Sequence, residues 1–122
     1  MRWATCFSKE ALAWLREAHD GRLGQEAKDA QVKFRYQIEN RLELYGPRLA
    51  ELPNLKKLSP FEVHELRVGA FRMFLGFGPG ATILVSNVIE KRSARVKSTV
   101  YEREARRVAD MRARATGGTL PC

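Results

Sequence analysis

Two stretches in the N-terminal part of the chain repeat apolar residues with the period of an α-helix. The first runs from Lys9 to His19, where leucine and alanine share one face and Ser8 is a predicted N-cap. The second runs from about Gln25 to Tyr45 and stops at Gly46-Pro47, a pair that disfavours a continuing helix. This pattern predicts two consecutive amphipathic helices.

Other apolar segments have the alternation or the composition of β-strands. Trp3–Phe7 is short and aromatic, which predicts an edge strand. Residues Phe61–Phe77 predict a hairpin that turns near Gly69, and the apolar run from Ala81 to Ile89 predicts a strand inside the sheet. The stretch Leu49–Pro60 contains two prolines and predicts an irregular loop.

A third helical pattern occupies the C-terminal part of the chain. Thr99 and Glu102 have the spacing of a capping box, and Ser98 is an alternative cap. An apolar stripe then runs from Tyr101 to Ala115. Within the hairpin, Arg72 alternates with apolar neighbours, so we expect its side chain to face away from the core.

The order β-α-α-β-β-β-α predicts an α+β fold. A small, mainly antiparallel β-sheet carries two N-terminal helices on one face, and a C-terminal helix follows the last strand. A chain of 122 residues suits one domain with one modest core. We assign residues 1–115 to this domain and expect residues 116–122 to form a flexible tail.

The charge balance changes the expected partners. The chain has 22 Lys and Arg against 14 Asp and Glu, a formal net charge of +8. Such a surface attracts polyanions through long-range fields and counterion release. Nucleic acid or an acidic protein is therefore the expected partner, with a merely solvated basic surface as the alternative.

The cysteines and histidines predict no metal site and no cofactor. Cys6 and Cys122 lie at opposite ends of the chain, without His or Cys neighbours at ligand spacing, and are expected to be ordinary thiols. The sequence has no apolar run of membrane-spanning length and no signal-peptide pattern at its start. We therefore expect a cytoplasmic protein without disulfides and without a membrane partner.

A basic turn stands directly before the last helix and its tyrosine. Metal-independent RNA cleavage needs a base for the 2′-hydroxyl, cations for the phosphoryl oxygens and an acid for the leaving 5′-oxygen. Arginine suits the cationic task, because its planar fork binds two phosphate oxygens and keeps its charge. A tyrosine is a poor base unless nearby cations stabilise its phenolate, a role open to Lys91, Arg92, Arg95 and Lys97 beside Tyr101.

Four short motifs resemble the RelE/ParE superfamily of type II toxins. They are Glu65-Leu66-Arg67, Phe71-Arg72, Lys91-Arg92 and Glu102-x-x-Ala105-x-Arg107. The Glu-Leu-Arg strand is most similar to the HigB-like branch of that family. The resemblance implies the same α+β architecture from about Trp3 to Arg114.

The resemblance also implies roles for individual residues. Arg72 would contact the scissile phosphate, Arg92 would stabilise charge or donate a proton, and Tyr101 would act near the reacting group. Where the family has two lysines, this chain has Val63 and Glu65. His64 is a further catalytic candidate, because the HigB-like catalytic set often includes a histidine. The RNA-binding candidates are Lys56, Lys57, Arg67, Lys91, Arg95 and Lys97.

Each of these residues also has a structural interpretation. Arg72 can pair with Glu65 or Glu90, Tyr101 can be a buried tyrosine with a satisfied hydroxyl, and His64 can be structural. Arg67 can equally bind an acidic antitoxin tail.

The implied function is that of a toxin which cuts mRNA on the ribosome and so inhibits translation. The implied partners are a cognate antitoxin protein, the ribosome and mRNA. One alternative is a ParE-like inhibitor of DNA gyrase. Another is a non-catalytic phage or host binding module of the same fold.

Overall fold

Five strands form a single sheet in the order β1-β5-β4-β3-β2 in the computed structural model, which describes residues 2–51, 54–58, 62–91, 97–120 and 122. The strands are β1 (Ala4–Phe7), β2 (Leu55–Leu58), β3 (Val63–Val68), β4 (Phe71–Gly78) and β5 (Thr82–Glu90). β1 pairs with β5 in parallel, and the other three pairings are antiparallel. The predicted α+β class, the edge strand at β1 and the interior position of β5 are confirmed.

The helices pack on both faces of this sheet. They are α1 (Lys9–His19), α2 (Gln25–Gln37), the short α3 (Glu43–Tyr45) and α4 (Ser98–Thr116). A π-helical segment, Ile38–Leu42, joins α2 to α3, and a 3₁₀ segment, Gly46–Glu51, follows. α1 and α2 cover one face, as predicted, and α4 covers the other.

Ser8 and Gly46 show why the predicted helix boundaries hold. Ser8 accepts a hydrogen bond of 3.0 Å from the backbone N–H of Ala11 and so caps α1. Gly46 ends α3 with a φ of 59°, and a Cβ there would collide with the ring of Trp3. The start of α4 differs from the prediction, because Lys97 is its N-cap and the side chain of Lys97 makes no capping hydrogen bond.

β2 corrects the prediction of an irregular loop over residues 49–60. Its two leucines are buried, while Lys56 and Lys57 between them are exposed. Buried and exposed residues therefore do not alternate along this segment as they do in a typical strand. The segment is a strand because it pairs with β3, where Lys56 stands opposite Glu65 and Lys57 opposite His64. Tertiary pairing thus overrides the local signal.

β4 is buried on both sides, and this changes the environment of Arg72. Phe71, Met73 and Leu75 point into the core under α1 and α2, whereas Phe74 packs with α4. Arg72 does face away from the α1–α2 core, but its exposed fraction is only 8%. Its surroundings are therefore α4 and the rest of that face, not open solvent.

A buried carboxylate fixes α4 on the sheet. Glu104 is fully buried and accepts hydrogen bonds from Ser86 at 3.0 Å, Asn87 at 3.1 Å and Arg103 at 2.8 Å. Arg107 adds a fourth partner at 3.1 Å. Because a buried charge is tolerated only when it is fully bonded, this network restricts the rotation of α4 and with it the position of Tyr101.

The two cysteines form a disulfide, so the prediction of free thiols is wrong. Cys6 lies buried on β1, and its bond to Cys122 joins residues 116 positions apart. Leu120 packs beside this disulfide against Leu84 and Met111. The segment expected to be a flexible tail is thus attached to the sheet edge at its end.

Candidate functional site

Glu65, Arg67, Arg72 and Tyr101 meet on the α4 face of the sheet, and we refer to them as the Glu65 cluster. Glu65 and Arg67 are two residues apart on β3, so they point to the same face. The antiparallel register places Arg72 directly opposite Arg67. Tyr101 reaches the cluster from the first turn of α4, with its ring centroid 6.0 Å from that of Phe74.

Glu65 is the centre of this arrangement. Its side chain is fully buried, and Oε1 accepts a hydrogen bond of 2.7 Å from Nε of Arg67. Nε of Arg72 lies 3.9 Å from the same oxygen. Oε2 is buried as well, and the hydroxyl of Tyr101 hydrogen-bonds to the same carboxylate. The carboxylate is therefore shared by two guanidinium groups and one phenol.

The two arginines differ in freedom. Arg72 donates from Nη1 to the carbonyl oxygens of Gly69 at 2.7 Å and Phe71 at 3.0 Å, and only 10% of its side chain is exposed. Arg67 has 45% of its side chain exposed, and among the described residues it bonds to Glu65 through Nε. Arg72 is thus held in place, while Arg67 is able to turn toward a ligand.

The burial of Tyr101 and its contact with Glu65 set the protonation state of the phenol. Desolvation raises the pKa of Tyr101, and the negative charge of Glu65 and a hydrogen bond with that carboxylate raise it further. Arg67 and Arg72 oppose the rise with smaller effects. The phenol therefore keeps its proton at neutral pH, and this environment opposes the phenolate that a role as general base requires.

His64 is not brought together with Arg72 and Tyr101. It neighbours Glu65 in sequence and so points to the opposite face of β3, where its ring packs edge-on against Phe77 at 5.2 Å. Burial lowers the pKa of His64, and the charges of Lys57 and Arg112 lower it further. The imidazole is thus neutral at pH 7 and lies away from the cluster.

The predicted RNA-binding lysines occupy different places in the fold. Lys56 is exposed and lies opposite Glu65 on β2, on the same face as the cluster. Lys97 is exposed at the start of α4, and Lys91 is half-buried just after β5. Lys57 belongs to the His64 side. Arg92 and Arg95 lie outside the described residues, and so does the predicted convergence of Arg72 with Arg92.

Sequence reasoning did not include Glu65 among the functional candidates. It interpreted this residue as the loss of a lysine, whereas the structure places its carboxylate at the centre of the cations. The sequence feature that could have identified Glu65 is its spacing of two residues from Arg67, which puts opposite charges on one face of a strand. Among the described residues, no group of three His, Cys, Asp or Glu is placed to hold a metal ion. Nor is any described helix long and apolar enough to cross a bilayer.

Comparison with known proteins gives a similarity of fold. No protein-family model matches the sequence, and no curated protein matches it. Among solved structures, the chain is similar to the toxin-antitoxin complex RelBE2 from Mycobacterium tuberculosis, with a TM-score of 0.48 and 12% sequence identity. That match covers 75% of this chain and 100% of the other. At this identity, the function of the chain has to be inferred from its own side chains.

Proposed function

We propose that this chain is the toxin of a type II toxin-antitoxin system and that it cleaves mRNA on the ribosome without a metal ion. The observation that carries the proposal is the Glu65 cluster. It places two guanidinium groups, one carboxylate and one phenol on a single face of a chain with a formal net charge of +8. These are the group types that RNA cleavage by transesterification needs.

The two arginines stabilise the charge that builds on the phosphoryl oxygens. Arg72 is preorganised by its bonds to two backbone carbonyls, so it provides a fixed positive charge. Arg67 turns from Glu65 to the phosphate when RNA arrives, because its side chain is half exposed and bonded at one nitrogen. A phosphate thereby replaces the carboxylate as the partner of Arg67.

The release of Arg67 leaves Glu65 as the general base and Tyr101 as the general acid. Glu65 takes the proton of the 2′-hydroxyl, and the 2′-oxygen attacks phosphorus while the bond to the 5′-oxygen breaks. Tyr101 donates its proton to that 5′-oxygen, a proton that the phenol retains at neutral pH because its pKa is raised. The products are a 2′,3′-cyclic phosphate and a 5′-hydroxyl.

The remaining basic residues bind the RNA backbone around the scissile linkage. Lys56 lies beside Glu65 in the ladder, and Lys97 precedes the turn of α4 that carries Tyr101. Lys91, Arg92 and Arg95 are proposed RNA contacts as well, although Arg92 and Arg95 lie outside the described residues. Each phosphate contact releases counterions, so binding weakens steeply with salt.

The proposal includes a cognate antitoxin and a cytoplasmic site of action, since ribosomes and mRNA are there. The antitoxin blocks the cluster with an acidic segment that pairs with Arg67, the more exposed of the two arginines.

A second candidate is a non-catalytic binding module of the same fold. The specific observation in its favour is that Glu65 is fully buried and already paired with Arg67, while Arg72 is bonded to backbone carbonyls. Such a network also has a purely structural explanation, since buried charges require partners.

Induced expression in a bacterial host tests the first proposal. We expect growth arrest and new mRNA 5′ ends in primer extension, and we expect Glu65→Gln and Tyr101→Phe to abolish both effects. Arg35→Ala is the control. It removes a charge from the exposed surface of α2, away from the Glu65 cluster. Circular dichroism checks that each variant folds.

The outcomes separate the candidate functions. New 5′ ends that persist in both variants would contradict the assigned roles. Intact mRNA together with a loss of plasmid supercoiling would indicate a gyrase inhibitor. Unaltered growth, mRNA and supercoiling would favour the binding module.

A further inference from the structure

A groove lies between α2 and the end of β3. Its volume is about 420 Å³, within the range of small-ligand sites. α2 contributes Val32, Lys33, Tyr36 and Gln37, and the sheet side contributes Asn54 and Arg67. Asn54, the residue before β2, accepts a hydrogen bond of 2.8 Å from the backbone N–H of Arg67 and so continues the pairing of β2 with β3 to this point. Asn54 and Arg67 therefore bound the sheet side of the groove.

The chemistry of this groove matches a nucleotide. Tyr36 has an exposed fraction of 55%, which leaves a π-face available for a flat ring. Lys33 provides a cation, Arg67 also lines the groove, and none of the described residues lining it carries a carboxylate. Exposed aromatic rings combined with cations are the means by which proteins bind single-stranded nucleic acid.

An unsatisfied polar atom supports the same ligand class. Oε1 of Gln37 is buried and has no hydrogen-bond partner among the described residues, although Gln37 lines the groove. Such an atom is costly unless something donates to it. The amino and imino groups of nucleobases are donors of this kind, and the amides of glutamine and asparagine commonly read base edges.

Arg67 connects the groove to the Glu65 cluster, since it lines the groove and also bonds to Glu65 at 2.7 Å. We propose that the groove is a nucleobase subsite in which Tyr36 stacks on a base adjacent to the linkage that is cut. This inference rests on the proposed function, because it takes RNA as the ligand. It identifies Tyr36 as a binding residue and assigns it no part in the chemistry.

Binding of a short single-stranded RNA tests the subsite separately from cleavage. The probe is fluorescein-labelled and carries 2′-O-methyl groups, so it cannot be cut, and anisotropy gives its affinity at fixed salt. We expect Tyr36→Ala to weaken binding at least about fivefold, the lower end of the effect of losing one base–aromatic stack. Tyr36→Trp restores stacking and should remain within about twofold of the unchanged protein.

The chain contains a matched control for this experiment. Tyr45 has the same exposed fraction as Tyr36, 55%, but does not line the groove. Tyr45→Ala should leave RNA affinity unchanged. Because both tyrosines are exposed, neither substitution should prevent folding, and thermal unfolding verifies this.

The results distinguish failure of the subsite from failure of the proposed function. If the unchanged protein binds the RNA but Tyr36→Ala and Tyr45→Ala behave alike, the subsite is wrong and the proposed function stands. If the unchanged protein does not bind the RNA at all, the subsite is overturned, whereas the proposed function is decided by primer extension on mRNA. If binding survives Tyr36→Ala but is lost in Tyr36→Trp, the groove accommodates something other than a stacked base, which also overturns the inference.

Discussion

Arg67 and Arg72 stand directly opposite each other across two antiparallel strands, with the carboxylate of Glu65 between them. Like charges in such a pair repel, and the repulsion is stronger where water is excluded. Glu65 offsets this repulsion with one bond of 2.7 Å and one contact of 3.9 Å. In the proposed function, the two guanidinium groups hold a phosphate after Arg67 has left the carboxylate of Glu65.

Replacement of Glu65 by leucine should destabilise the protein by about 2–4 kcal/mol, because it leaves two guanidinium groups in a partly buried site without their shared partner. Urea unfolding measures the change. Glu17→Leu on the exposed side of α1 should cost less than about 0.5 kcal/mol and serves as the control. A loss no larger than that of the control would show that Glu65 is not what keeps these cations together.

Replacement of Glu65 by glutamine should lower the pKa of Tyr101. The negative charge of Glu65 and its hydrogen bond both raise that pKa, and glutamine removes the charge. Alkaline titration of tyrosine absorbance, with Tyr101→Phe to identify the signal, gives the measurement. In the unchanged protein, the phenol binds its proton more tightly in the folded state. The stabilisation that this tighter proton binding gives the folded state is therefore present below about pH 10, the pKa of an unfolded tyrosine. It is lost as pH rises through the higher pKa of Tyr101 in the folded protein. An unshifted titration in Glu65→Gln would argue against the contact.

Acidification should weaken the fold through His64. Its pKa is lowered in the folded state, so the unfolded chain takes up a proton first as pH falls below about 6.5. The free energy of unfolding should therefore decrease from about pH 6.5 down to the folded pKa. His64→Gln should remove this part of the pH dependence, whereas His19→Gln, at an exposed position, should retain it. Urea unfolding measures the free energy of unfolding at pH 7.5 and at pH 5.5. An equal decrease between these two pH values in the unchanged protein, His64→Gln and His19→Gln would contradict the prediction.

Reduction of the Cys6–Cys122 bond should lower the free energy of unfolding by about 2–4 kcal/mol, because the bond closes a long loop and restricts the unfolded chain. Cys122→Ser should show the same loss without reductant, and dithiothreitol should then have no further effect. The control is the unchanged protein with and without dithiothreitol. If its unfolding midpoint is insensitive to reductant, the disulfide does not form in solution.

The disulfide also marks a limit of sequence reasoning. Cys6 and Cys122 are separated by 116 positions, and no local pattern relates them. Their approach depends on β1 pairing with β5 and on α4 returning across the sheet, so that Leu120 packs on Leu84. Pairing of distant cysteines is decided by geometry, which spacing alone does not contain.

The candidate site also combines residues that the sequence identified with one position that depends on the tertiary structure. Arg67, Arg72 and Tyr101 could be selected from the sequence because they stand in or beside short motifs that resemble the RelE/ParE superfamily. The central position of Glu65 could not, since it depends on the register between β3 and β4 and on where α4 lies. His64 is separated from the cluster because it is the neighbour of Glu65 on β3, and successive residues of a strand point to opposite faces of the sheet.

By itself, the sequence determined the helices, most of the strands, the α+β class and the basic character of the surface. Apolar periodicity, glycine and proline punctuation and charge act over short distances, and each can be read residue by residue. Only the tertiary structure decided that Leu55–Leu58 is a strand, that Glu65 is buried among cations and that Cys6 is bonded to Cys122. The physical reason is that burial and pairing depend on partners far away in the chain, whose positions are set by packing of the whole domain.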